Sequence, residues 1–280
     1  MRPIKSDSFP GPINEWRAFT TAGGGTALST TLAQVGIPNG ATHVGLIARN
    51  FATGVVMQFM PDPYLLLLKT TDQLATQGNL TDYSKTGQQN PATAGAIVLS
   101  SLDVLANNNA LYIGSHVPFR GVAVTMSANV NAVVSVLTVK YWNGAWTAVS
   151  GFSDGTASGG ATFAQSAPAS AGVVWTVPTD WVTKQLNQTL ASVGPVLLYA
   201  DKPRYWTQWT VSVQLGANVK ANTMFALNRS TAYAEAQQDS LSQFRVFKGP
   251  DGIAAIEAQM NAGTGNLIGN AATDNPLGIF

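Results

Sequence analysis

The chain has 280 residues, with 15 Lys or Arg against 14 Asp or Glu and a formal net charge of +1. Charged residues make up 10% and apolar residues 45%, where an ordinary soluble protein carries about 25% charge. That balance excludes a charge-rich disordered chain and a nucleic-acid binder working through a basic stripe, and the absence of cysteine excludes disulfides and thiolate metal sites.

In chain order, residues 1–26 read as an N-terminal arm. Pro3, Pro10, Pro12 and Gly11 oppose regular structure, Gly23 to Gly25 form a hinge, and Trp16 and Phe19 are anchors that need a surface to bury against. The opening residues lack the apolar stretch of a secretory signal, so none is expected. The longest dense apolar run, Tyr64 to Leu68, is far too short to span a bilayer. Residues 27–95 form a first β region, in which Asn39-Gly40 suits a tight turn and Asp72 to Ala94 is a long polar surface excursion.

Residues 96–215 are the most informative part. The segments LYIGSHVPFRGVAV (111–124), LTVKYWNGAWTAVSGFSDGT (137–156), VVWTVPTDWV (173–182) and YWTQWTVSVQL (205–215) alternate apolar and polar residues between Gly, Asn and Asp breaks. Such a pattern predicts an antiparallel β-sandwich, with a hairpin at Asn143-Gly144. Residues 216–280 read as a helical and extended C-terminal arm. TAYAEAQQDSLSQF (231–244) and GIAAIEAQM (252–260) are its helix candidates, and Leu277, Ile279 and Phe280 are further anchors. The expected fold is thus all-β: one or two jelly-roll-like antiparallel β-sandwiches, extended N- and C-terminal arms and a short C-terminal helical segment.

No residue pattern specifies catalysis. His43 and His116 are the only imidazoles. They lack HxH or HExxH spacing, so structural or solvent roles are expected rather than metal ligation. No GxSxG elbow occurs, and Gly23-Gly24-Gly25-Thr26 lacks the GK[ST] of a phosphate loop. Paired carboxylates would suit glycoside hydrolysis. Yet Asp62, Asp72, Asp103, Asp154, Asp180 and Asp201 lie mostly at turns, where Asp is expected to bond nearby backbone. Glu235 and Glu257 lie in the helix candidates, and Glu15 lies in the arm. Oxygen ligands near Asp154 or Asp103 are too sparse for calcium. No enzyme, cofactor or metal is therefore expected.

The tryptophans Trp142, Trp146, Trp175, Trp181, Trp206 and Trp209 suit either sandwich packing or sugar stacking. Trp206 and Trp209 are an odd number of residues apart and face opposite sides of a strand. At least one of them is therefore expected outside the core; packing is expected for most of the tryptophans, with glycan stacking open for one or two.

LLLLKTTD (65–72), TDYS (81–84), VLSSLDVLANNNALYIGSHVPFRGV (98–122), the VKYWNGAW hairpin and WTVPTDWV (175–182) occur in an order that resembles virion structural proteins of tailed bacteriophages. The match covers roughly residues 65–215. It implies a β-sandwich module of a phage particle, assembled in the host cytoplasm and located in the virion, with no catalytic residues to carry across. The expected role is a capsid-associated decoration, cement or head-fibre-type subunit whose partners are other virion proteins and copies of itself. In that role the arm anchors Trp16, Phe19, Leu277, Ile279 and Phe280 hold neighbours. The alternative is a tail, baseplate or fibre component that binds host surface glycans through Trp206 or Trp209.

Overall fold

In the computed structural model the alternating segments become strands throughout. The structure describes residues 17–18, 20, 25–30, 33–38, 41–74, 79–89, 92–107, 109–165, 172–186, 202–227, 234–236, 241–245 and 252–272. The strands are β1 (Arg17–Ala18), β2 (Thr26–Leu28), β3 (Ala33–Gly36), β4 (His43–Arg49), β5 (Met57–Pro63), β6 (Leu66–Thr70) and β7 (Leu80–Asp82). Next come β8 (Ile97–Val98), β9 (Ala110–Ser115), β10 (Gly121–Met126), β11 (Leu137–Trp142), β12 (Trp146–Ala148), β13 (Ser153–Asp154) and β14 (Val173–Val174). The last are β15 (Tyr205–Val211), β16 (Lys220–Leu227), β17 (Ala234–Ala236), β18 (Leu241–Arg245), β19 (Ile253–Met260) and β20 (Gly265–Ala272). The chain divides into two compact units, one of residues 61–231 with 249–255, the other of residues 1–60, 232–248 and 256–280.

The first unit is a β-sandwich. A six-stranded sheet, ordered β12-β11-β15-β9-β6-β7, faces a five-stranded sheet, ordered β13-β14-β10-β16-β8. Every registered pair in both sheets is antiparallel. Leu65, Leu67, Leu111, Ile113, Leu137, Val139 and Trp209 from one sheet meet Ile97, Val122, Val124, Met126, Val173, Ala221 and Met224 from the other in a common core. Alternation places those side chains inward, and each fully buried Leu or Ile contributes roughly 1.5–3 kcal/mol. Phe119, Tyr141, Trp175, Trp181 and Trp209 extend this core as edge-on and tilted rings with centroids 5.2–6.3 Å apart.

The six-stranded sheet is covered on its outer face as well. Tyr64, Leu66, Leu68, Ala110, Tyr112 and Trp206 point away from the sandwich core and pack with Leu74, Leu186, Ala254 and Ala255. Strands β6 and β9 are accordingly buried at every position. Cover thins toward one edge, since β11 alternates buried and accessible residues and β12 has no buried one. Gly114 belongs to this outer face, where a Cβ would come within 2.5 Å of the Trp206 ring. A side chain at that position would force the indole out of its place.

The polar stretch 72–94 does not simply run over the surface. Strand β7 pairs with β6, and Gln88 is fully buried beside it. Its carboxamide accepts from Leu65 N at 2.7 Å and donates to Leu65 O at 2.7 Å and Ser84 O at 2.8 Å, while Ser84 Oγ accepts from Leu67 N at 2.9 Å. Two polar side chains thus stand in for the strand that β6 lacks there, and they satisfy backbone groups that water cannot reach.

In the second unit, β20 is central to a five-stranded sheet ordered β1-β20-β4-β18, with β2 also on β20. Seven consecutive pairs from Asn266↔Arg49 to Ala272↔His43 tie β20 to β4. A four-stranded sheet is ordered β17-β5-β19-β3. The helix candidate at 252–260 is strand β19, and the described parts of the candidate at 231–244 are β17 and β18. Ala-rich IAAIEAQM has helical propensity, but Ala254 to Ala258 are buried without a break, and strand pairing overrides propensity. Strands from both arms pair in this unit, Arg17↔Ala271 and Thr26↔Leu267, whereas the start of the expected C-terminal arm is β16, a strand of the sandwich.

Lys69 continues the inward-facing set of β6 but carries an ammonium. It is 6% exposed, and its Nζ donates to Val98 O of the opposite sheet at 2.8 Å. Burial pushes its pKa down from 10.5 to about 8. Between those values the unfolded chain binds a proton that the folded chain does not, so stability rises with pH across that window. Urea unfolding should therefore show wild-type stability climbing from pH 8 to about 10.5, with most of the climb missing in Lys69→Met. Gln88→Leu should cost about 2–5 kcal/mol in the same assay at pH 7, because Leu65 loses both of its buried partners.

Candidate functional site

The best candidate site is an aromatic surface at the accessible edge of the six-stranded sheet. In β11, Leu137, Val139 and Tyr141 face the sandwich core, so Trp142 faces out. The hairpin connection is Asn143-Gly144-Ala145, with Gly144 at φ +107°, and it pairs Trp142 directly with Trp146. Both indoles therefore lie on the same outer face, half-buried, with ring centroids 5.3 Å apart at 68°. Trp146 reaches Tyr112 at 5.5 Å, which joins the pair to the covered part of the sheet.

Polar groups fix the turn from the other face of the hairpin, the one that carries Tyr141 and its partner Thr147. Asn143 clips the turn: its Oδ1 accepts from Thr147 Oγ1 at 3.0 Å, and its Nδ2 donates to Asp180 Oδ2 at 2.9 Å. Tyr141 Oη donates to Asp180 Oδ1 at 2.8 Å. These bonds, from Asn143 and then Tyr141, hold the Asp180 carboxyl below its ordinary pKa, while the accepting carboxylate raises that of Tyr141. On the other side, Lys184 places its ammonium 4.1 Å from the centre of the Trp142 ring, a cation–π contact. The Lys184 backbone is fixed by mutual bonds with Arg204 at 2.9 and 3.1 Å and by Trp206 Nε1, which donates to Lys184 O at 2.9 Å.

Trp206 and Trp209 do lie on opposite faces, but both are 0% exposed. Neither offers a ring to a sugar, because the sheet between them is covered on both sides. Trp209 Nε1 donates to Thr207 Oγ1 at 2.9 Å within the sandwich. Trp206 instead supports the segment that carries Lys184. The same parity on β11 marks an outward ring, since Trp142 is out of phase with the apolar set 137, 139 and 141. The face of Trp146 depends on the three-residue connection, because a two-residue turn at Asn143-Gly144 would have sent it to the core side.

Trp16, Phe19, Leu277, Ile279 and Phe280 lie outside the described residues. His43 lies in β4 of one unit of the chain and His116 follows β9 in the other. Among the described residues, no three His, Asp or Glu side chains group as metal ligands. The turn carboxylates serve local structure: Asp82 accepts from Ser84 N at 2.8 Å, Asp154 from Thr156 N at 2.9 Å, and Asp72 from Asn79 Nδ2 at 3.0 Å. Among the described residues, no helix is long and apolar enough to cross a membrane.

Against known proteins, no family model, curated protein or solved structure matches this chain.

Because the Asp180 carboxylate is the main cause of the raised Tyr141 pKa, Asp180→Asn should bring the phenol back toward its ordinary value. Ring-carbon NMR of labelled tyrosine across an alkaline titration checks this. Other tyrosines in the chain should titrate as before.

Proposed function

We propose that the chain is a structural component of a bacteriophage particle, in a capsid-associated decoration, cement or head-fibre-type role, with other virion proteins and copies of itself as partners. The reading rests on the order of motifs over residues 65–215 that resembles virion proteins, and on a surface suited to permanent contact. With few charges, such a surface meets a neighbour at little desolvation cost.

One observation carries the assembly role. Val134 is 67% and Val136 62% exposed, on the loop that leads into β11, and Val213 is 49% exposed just after β15, to which β11 is paired. The loop is fixed rather than slack. Asn131, 2% exposed, donates through Nδ2 to Val133 O, Ser135 Oγ and Thr162 O at 2.8–3.1 Å. Its Oδ1 accepts from Val133 N and Gly216 N at 3.1 and 3.2 Å. Val136 N donates to Ser212 Oγ at 2.9 Å, closing the same end of the sandwich. Apolar side chains held out on a rigid loop can dock without ordering cost. In this reading they take the contact role first assigned to the arms, whose described parts pair within the chain.

The Val134→Asp, Val136→Asp double variant should fold with stability within about 0.5 kcal/mol of wild type, since both side chains are exposed. Its incorporation into particles, read by quantitative mass spectrometry of purified virions, should drop at least about tenfold. Incorporation at the wild-type level would refute this role for the loop.

A further inference from the structure

We propose that the chain self-associates through the free edge of β12, so that the six-stranded sheets of two copies join antiparallel across a twofold axis at Thr147. The inference does not rest on the particle assignment, since it concerns the free chain.

The sequence leaves this edge unguarded. Residues 144–152, GAWTAVSGF, carry no charge, and β12 closes one end of the six-stranded sheet with Thr147 and Ala148 exposed. Exposed sheet edges in proteins that stay apart usually carry charge or have their backbone groups covered. The other edge strands of the sandwich follow that rule. Strand β7 holds the exposed Asp82, β13 holds Asp154, and Val98 O of β8 accepts from Lys69 Nζ.

The pairing pattern fixes which backbone groups of β12 face outward. Asn143 N donates to Ala145 O and Val149 N donates to Val139 O, and the register between them sets Thr147 opposite Tyr141. Bonded and non-bonded pairs alternate along antiparallel strands. Ala145, Thr147 and Val149 therefore turn their N–H and C=O groups toward β11, and Trp146 and Ala148 turn theirs away from it. This free edge ends at Gly144, held at φ +107° in the turn, and at Ser150, whose O accepts from Thr176 N at 2.9 Å. Thr147 is its midpoint.

A second copy is the occupant this edge fits. Run antiparallel to itself about Thr147, the edge sets Trp146 opposite the partner's Ala148, and Ala148 opposite the partner's Trp146. Each of these pairs exchanges two backbone bonds, so every outward donor and acceptor of the edge is used. The side chains agree with that register. An indole meets a methyl group, and Thr147 meets the partner's Thr147, a favourable cross-strand pair. No like charges are brought together, because the stretch holds none. The edge is also fixed beforehand: Thr147 Oγ1 donates to Asn143 Oδ1, and Tyr112 abuts Trp146.

Sedimentation equilibrium of the purified full chain from about 5 to about 500 μM tests this, because a dimer follows mass action. The average mass should climb from 29.3 kDa toward about twice that value. Ala148→Pro removes an outward N–H and no bond to β11, so it should fold, by circular dichroism, and its dimer should weaken about tenfold or more. The chain has no cysteine, so Thr147→Cys introduces a single thiol that the axis brings within disulfide reach of its copy. It should cross-link in air at least about tenfold faster than the exposed Val136→Cys, which reports association through the loop instead. A chain that stays monomeric across that range overturns the proposal and leaves the edge to another protein's strand. So does a folded Ala148→Pro that dimerises as wild type does, or cross-linking of Thr147→Cys no faster than that of Val136→Cys. The mass and the cross-linking decide the matter even if Ala148→Pro fails to fold.

Discussion

The sandwich depends on a sheet that must be buried on both faces. Strand β15 puts Trp209 into the space between the sheets and Trp206 onto the opposite side, and both rings are wholly removed from water. Each indole N–H then needs a partner, and each finds one, on Thr207 or on Lys184 O. Much of the surrounding detail answers to this requirement. Gly114 is bare because Trp206 lies against it, and Leu74, Leu186, Ala254 and Ala255 are drawn over the outer face. Gln88 and Ser84 serve the backbone of a strand too deep for solvent.

The same requirement locates the part of the surface able to do something else. Cover ends where β11 and β12 form the edge, and what emerges there is aromatic. At the end of the sandwich, Asn131 holds a loop whose valines have no cover among the described residues. A chain with so few charges meets its surroundings mostly through such uncharged side chains.

Much of the fold is legible in the sequence, and the limits have physical causes. LTVKYW shows its strand and its inward face because that strand is covered on one side only. IAAIEAQM and LLLLK show no alternation, because a strand buried on both faces has no polar phase, and the first therefore reads as helix. NAGTGNLIGNAA resembles a loose arm because its glycines and asparagines mask an alternation that is plain in the burial of β20. At the candidate site, the hairpin and its tryptophans were visible, but their exposure was not. Parity assigns a side chain to a face of the sheet, whereas accessibility depends on what distant segments, here 74, 186 and 254–255, lay across that face. Gln88 is the hardest case, since nothing local distinguishes a glutamine that replaces a strand from one that faces water.

In the proposed reading the sandwich is a packing body of a phage particle. A cryo-EM map of intact particles from the cell that makes the chain is the decisive measurement. Sandwich density should occupy symmetry-repeated positions, with the loop bearing Val134 and Val136 pressed against a neighbouring chain. Particles that lack the chain, or a map in which that loop faces open solvent, would contradict it.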